Sequence, residues 1–141
     1  MCSNAIYRSL SALPFIEEVT PDVEHSSFLI HFKSDKDIHP EAMRAAVEEA
    51  GFSVAQFSIS IRYNQIVMPS NNNLKIKNMT LNVINGEGVS LEQDVEFIFL
   101  DQGFLTDKHR KELEKDLGVD LRKKKKMKEP DIFTVMIKKD E

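Results

Sequence analysis

The sequence predicts an α+β protein, and three observations carry that prediction. Two stretches place apolar residues at helical spacing: Ile6, Leu10 and Leu13, then Met43, Ala46, Val47 and Ala50. Three others alternate as strands do: Phe28, Ile30 and Phe32; Phe57, Ile59 and Ile61; Val95, Phe97 and Phe99. A polar run, Pro69-Ser70-Asn71-Asn72-Asn73, divides the chain and is its best linker or long loop.

The first helix is expected from Ser3 to Leu13, with Pro14 as its stop. Thr20-Pro21-Asp22 is turn chemistry, and a strand follows from Phe28 to Phe32 with Leu29 and His31 on its other face. Pro40 suits the first position of a second helix, because its fixed φ is already helical there and no N–H is needed. Gly51 ends that helix as a C-cap. A strand from Phe52 to Ile61 comes next, with a bulge expected where the apolar phase slips at Ala55-Gln56. Beyond the polar run, Leu74 to Val83 reads as one strand and Asn85-Gly86-Glu87-Gly88 as a hairpin turn into the strand of Val95 to Phe99. Thr106 caps a third helix, Leu113 and Leu117 face inward from it, and Gly118 ends it. A last strand is expected over Ile132 to Ile137.

Composition narrows the function classes. A chain of 141 residues makes one domain or two small ones, and 41% apolar with 30% charged residues is ordinary for a globular protein. The net charge of -4 argues against generic nucleic-acid binding. No apolar run is long enough to span a bilayer, so no membrane insertion is expected. The compartment stays open: cytoplasmic as the chain stands, periplasmic or exported if a signal precedes Met1. One cysteine allows no intrachain disulfide.

Catalytic chemistry is hard to find. There is no Gly-rich phosphate loop, no GxSxG elbow and no histidine near the cysteine in sequence, so no enzymatic activity is expected. His25, His31, His39 and His109 lack ligand spacing and read as structural or solvated, His109 half-buried beside the Leu113–Leu117 stripe. Glu92, Asp94, Asp101 and Asp107 are scattered. The basic run from Arg122 to Lys128 has no interleaved aromatic residues on which bases would stack, and reads as a solvated loop. That leaves Cys2, at the first turn of a helix, where the unsatisfied N–H groups favour a thiolate.

Three segments of the first half resemble the heavy-metal-associated domain family. Cys2-Ser3-Asn4-Ala5-Ile6 resembles its second metal-site cysteine and first helix, and Leu10-Ser11-Ala12-Leu13-Pro14-Phe15-Ile16 the end of that helix and the start of the second strand. Pro40-Glu41-Ala42-Met43, continuing through Ala46 to Val54, resembles the second helix and last strand. The resemblance implies a ferredoxin-like βαββαβ domain lacking its first strand. It divides the chain into a heavy-metal-associated-like domain over 1–62, a linker or loop over 63–73, and a smaller β-rich domain with one helix over 74–141.

The same resemblance implies a metal-binding or transfer protein, with copper or another soft ion held in the intact protein and handed to a protein partner. Two thiolates two residues apart would grip such an ion, for which low coordination suffices. Cys2 matches the second of them and the first would fall before Met1. The site in this chain is therefore incomplete, through a chain start set too late or through true degeneracy, and this chain by itself is expected to hold little or no metal. A lone thiolate can also join an ion shared between two molecules, or serve as a redox sensor. The alternative reading is a non-catalytic protein-interaction module built on a degenerate metal-binding fold. Without its leading strand the first domain would present open edges, which a strand of the second half, or a neighbouring molecule in a homodimer, is expected to fill.

Overall fold

The computed structural model describes residues 2–86, 90–118 and 131–138, with side chains described at 4–61, 68–86, 95–118 and 131–138. Element order is α1 (Cys2–Ser11), β1 (Ile16–Asp22), β2 (Ser27–Phe32), α2 (Pro40–Glu49), β3 (Ser58–Val67), β4 (Asn73–Ile76), β5 (Met79–Val83), β6 (Ser90–Phe99), α3 (Asp107–Leu117) and β7 (Ile132–Ile137). Two compact units divide this chain, Met1–Val54 and Ala55–Glu141.

In the first unit α1 packs on β1 and on α2. Leu10 is buried and Ile6 and Leu13 are half-buried, as their spacing predicts. The helix closes before Pro14 by tightening, with the Leu13 N–H donating to the Leu10 carbonyl at 3.1 Å. β1 and β2 form an antiparallel hairpin whose register slips between Ile16 and Glu18. That bulge lets Ile16 and Val19, three apart in sequence, both point into the core. Simple alternation could not have placed them together.

α2 starts at Pro40 and stops in a Schellman motif. The Gly51 N–H donates to the Glu48 carbonyl (3.0 Å) and the Phe52 N–H to the Val47 carbonyl (3.2 Å). Gly51 takes φ +93°, a conformation costly to a residue with a Cβ. Met43 and Ala46 are buried on the inner face. On the outer face Arg44 bridges Glu41 (2.6 Å) and Glu48 (2.9 Å), a surface network worth a few tenths of a kcal/mol per pair, roughly.

The strand expected from Phe52 to Ile61 does not close this unit. Its regular part, β3, begins at Ser58 and pairs antiparallel with β6, Ile59 opposite Phe97 and Ile61 opposite Val95. A long strand of matching apolar phase captures it. The first sheet has two strands, and among the described residues no strand of the second unit joins it, contrary to expectation. The second unit is the longer of the two, not the smaller. Residues 63–67, expected in a linker, lie in β3, so the polar loop shortens to 68–72 inside one sheet.

That second sheet has the order β3-β6-β7-β5-β4, all pairs antiparallel except β7 with β5. Its outermost strands, β3 and β4, are joined by the short 68–72 segment. Four interstrand gaps in a flat sheet span about 19 Å. The segment would have to be fully extended to cover that, yet the Asn72 N–H turns back to the Pro69 carbonyl (2.9 Å) and Asn72 sits at φ +59°. The sheet therefore curls. Ile59, Phe97, Phe99, Val135, Leu81, Phe133, Val83, Leu74 and Met79, linked across the ladders on one face, are all buried inside the curl. Phe57 and Phe104 complete an aromatic cluster with Phe99 and Phe133, centroids 4.8 to 6.0 Å apart. On the opposite face Ile98, Leu100 and Leu105 pack with Ile84, Met136 and Leu113 of α3.

α3 has the expected caps: Thr106 Oγ1 accepts from the His109 N–H (3.2 Å), and Gly118 is left-handed at φ 70°. His109 itself is exposed rather than half-buried, because the inward face of α3 runs through Arg110, Leu113 and Leu117 and leaves His109 at its margin. The buried Arg110 donates to the Leu100 carbonyl at 3.1 Å and ties α3 to the end of β6. The single strand expected over 74–83 is a hairpin instead, turning at Lys77 (φ 52°) and Asn78.

Asn85-Gly86 does not make a hairpin between β5 and β6, because β7 lies between them. Asn85 serves β7 instead. Its Oδ1 accepts from the Ile137 N–H (2.8 Å) and its Nδ2 donates to the Ile137 carbonyl (3.1 Å), extending the ladder by a side chain. Gly86 is required for space: a Cβ there would lie 2.7 Å from Met68 Cε and 2.9 Å from Val83 Cγ1. Glu87, Gly88 and the basic run from Arg122 to Lys128 lie outside the described residues.

Asn85→Ala strips Ile137 of both partners and should destabilise the second unit by about 1–3 kcal/mol. Gly86→Ala should act in the same direction by overpacking, by about 1–3 kcal/mol. Urea unfolding would show both as a lower midpoint at unchanged slope, and an unchanged midpoint for Asn85→Ala would refute the bidentate role assigned to that side chain.

Candidate metal centre

The first unit places its chemistry-bearing residues at one end. α1 begins at Cys2 and its ten residues run about 15 Å. A short connection reverses the chain, so β1, packed on α1, returns toward the end where the helix started. The tip of the β1–β2 hairpin, residues 23–26, therefore belongs to the same end of the unit as the first turn of α1. α2 runs the same way as β1, so its Schellman stop lies there too.

Cys2 takes the first position of α1, where backbone N–H groups lack intrahelical acceptors and favour an anion. Its side chain lies outside the described residues, so its thiol carries no geometry here.

At the hairpin tip the structure gathers a group that sequence spacing did not reveal. Ligand atoms of Asp22, Glu24 and His25 lie within 4.8 Å of one another. The chain turns there through the Ser26 N–H donating to the Val23 carbonyl (3.3 Å), with Ser26 at φ 52°. Asp22 Oδ1 accepts from the His25 N–H (3.3 Å), and Asp22 Oδ2 lies 2.8 Å from His25 Nδ1. The ring contact with His25 holds the Asp22 carboxyl below the usual carboxylate range. Carboxylate oxygens and one imidazole are a hard-to-borderline donor set, unsuited to the soft ions that thiolates select. Glu24 and His25 are exposed, and these contacts already account for the group as a lock on the turn.

The remaining site residues considered are dispersed. His31 is exposed on the far face of β2, and His39 is exposed with its ring edge-on to Phe15 at 5.3 Å. Asp101 accepts from the Thr134 N–H (3.0 Å) and Asp107 lies 3.4 Å from Arg110, both structural roles in the second unit. The side chains of Glu92 and Asp94 lie outside the described residues.

A helix opened by a cysteine, a β-hairpin and a second helix packed on the first follow one another in the order α-β-β-α. Residues 1–53 match the family model of the heavy-metal-associated domain, which ends one residue short of the first unit's boundary at Val54. The family resemblance carried by Cys2, the α1 end and the α2 stop is thereby supported over the first unit, while the remainder of the chain is unmatched by that model. No curated protein and no solved structure matches the chain.

Because the Asp22 carboxyl titrates low in the folded state, its pairing contributes stability above the unfolded carboxyl pKa, about 4. That contribution fades as pH falls through the lower folded value. His25→Ala should return the Asp22 titration upward toward the ordinary range. Carbon-detected NMR titration of the side-chain carboxyl measures this directly, and an unmoved midpoint would remove His25 as the cause.

Proposed function

We propose that the first unit binds a soft metal ion, copper foremost, and passes it to a partner protein by thiolate exchange, with Cys2 as this chain's ligand. The observation that carries the reading is the heavy-metal-associated match over residues 1–53, with a cysteine in the first turn of α1. A thiolate there is the soft donor such ions select, and a helix N-terminus lowers the cost of its charge. The ferredoxin-like organisation of this unit, without a leading strand in these residues, and the division into two domains near Val54 belong to the same proposal.

One thiolate does not make a cage, and this chain has one cysteine. The donors at the hairpin tip do not supply the missing softness. The remaining sulfur ligands come from residues before Met1 in the intact protein or from the protein that gives or receives the ion. A shallow site of few ligands releases its cargo readily, which suits transfer better than storage. Nothing in this function asks the protein to make or break a covalent bond in a substrate.

The second reading is a protein-interaction module that keeps the family's framework without its metal. The 59% exposure of Leu29 on β2 favours it.

Titration of the reduced intact protein, with any residues that precede Met1, by Cu(I) against a competing chromophoric chelator separates the two. The transfer reading expects a Cys2-dependent complex, weakened at least tenfold in Cys2→Ser. That loss corresponds to about 1.4 kcal/mol or more. Equal affinity in the two chains would remove Cys2 as ligand, and no measurable binding by either would leave the interaction reading.

A further inference from the structure

Asn85 is the chain's one asparagine followed by glycine, and the second unit uses it as a rung of its sheet. The backbone ladder of β5 on β7 runs as far as the Ile84 N–H, which donates to the Val135 carbonyl (3.0 Å). The next rung is a side chain: Asn85 holds both the N–H and the carbonyl of Ile137, at 2.8 and 3.1 Å. Gly86, directly after it, is buried against Met68 and Val83.

The same pair is the most reactive asparagine context in the chain. In deamidation the following backbone nitrogen must reach the side-chain carbon Cγ, and a glycine sets no Cβ in its path. The other asparagines precede Ala, Gln, Asn, Leu, Met or Val, each of which hinders that approach. At Asn85 the Gly86 nitrogen would bond to Cγ, the Cγ–Nδ2 bond would break, and ammonia would leave with the proton of the Gly86 N–H. Water then opens the cyclic imide at either carbonyl, leaving aspartate or isoaspartate at position 85.

We propose that Asn85 is a deamidation site held shut by β7, and that its modification permanently marks a chain whose last strand has come away. The reaction turns Cγ from planar to tetrahedral and expels Nδ2, so it must break the rung to Ile137. Close packing at Gly86 opposes both the movement of the loop and the entry of the water that opens the imide. With β7 undocked, neither restraint remains.

The product cannot rebuild the rung. An aspartate offers two acceptor oxygens, so one of them would face the Ile137 carbonyl with no proton between them. That mismatch, half-buried and charged, favours the open sheet. Isoaspartate instead lengthens the main chain by a carbon, beside a glycine where Met68 and Val83 leave no room for a Cβ. Modification thus favours the state in which it occurs, an irreversible exit from the folded form. The proposal does not rest on metal binding.

The test incubates the full chain at mildly alkaline pH, folded in buffer and unfolded in guanidinium chloride. Peptide mass spectrometry resolves asparagine, aspartate and isoaspartate at position 85, and a synthetic peptide of residues 81–90 in both solutions corrects for the denaturant. The unfolded chain should deamidate at position 85 at least about tenfold faster, because the folded rate is scaled by the small fraction of molecules open at β7. Val135→Ala, which hollows the packing of β7, should raise the folded rate and leave the unfolded rate unchanged. Asn85→Asp, which copies one product, should lower the urea midpoint. Equal rates in folded and unfolded chains overturn the proposal, and the wild-type comparison decides alone should Val135→Ala fail to fold. A folded Val135→Ala chain of lowered midpoint but unaccelerated reaction overturns β7 as the gate. An unchanged midpoint in Asn85→Asp overturns the irreversible exit.

Discussion

The second unit depends on a closure problem. β3 and β4 stand at opposite edges of a five-stranded sheet, yet a short, turned segment joins them. The sheet must coil until its edges approach, and once coiled it has an inside. This is why the large side chains of β5, β6 and β7 reach 0–1% exposure at Phe97, Phe99, Leu81, Val83 and Val135 without a second sheet to cover them. At Gly86 the packing leaves no room for a Cβ, with Met68 and Val83 closing on it. α3 then has only the outer face to cover, and one modest apolar stripe suffices.

Much of the local structure was legible because it is decided locally. Thr106 and Gly118 bracket α3 by satisfying its own terminal groups, and Pro40 and Gly51 do the same for α2. The alternation of Phe28, Ile30 and Phe32 separated the half-buried face of β2 from the exposed Leu29 and His31. Partner choice was not legible. Phe57, Ile59 and Ile61 suit either sheet, and what assigns them to the second is the matching phase of β6, more than thirty residues away. Asn85-Gly86 carries the strongest hairpin signal in the chain, but β7 enters between the strands it would join and takes Asn85 as a ladder partner. A dipeptide cannot report a strand that arrives fifty residues later.

The candidate metal centre divides in the same way. Cys2 was found through family resemblance, since one thiol has no spacing to read, and the family match covers the unit that contains it. Asp22, Glu24 and His25 were passed over because their proximity is a product of the turn at Ser26 rather than of sequence periodicity. Meeting at one end of the unit does not make these two features one site. They differ in softness, and the hairpin group is already occupied in holding its own turn.

The position of β7 also bears on how the chain is made. The central strand of the second sheet is its last to be synthesised, so β5 and β6 leave the ribosome with their shared neighbour still unwritten. The N-terminal unit, which ends at Val54, has no such wait and can acquire structure while translation continues. A premature stop before Ile132 would therefore release a chain folded at its head, with two unsated strands at its tail, a species for chaperones and proteases to clear.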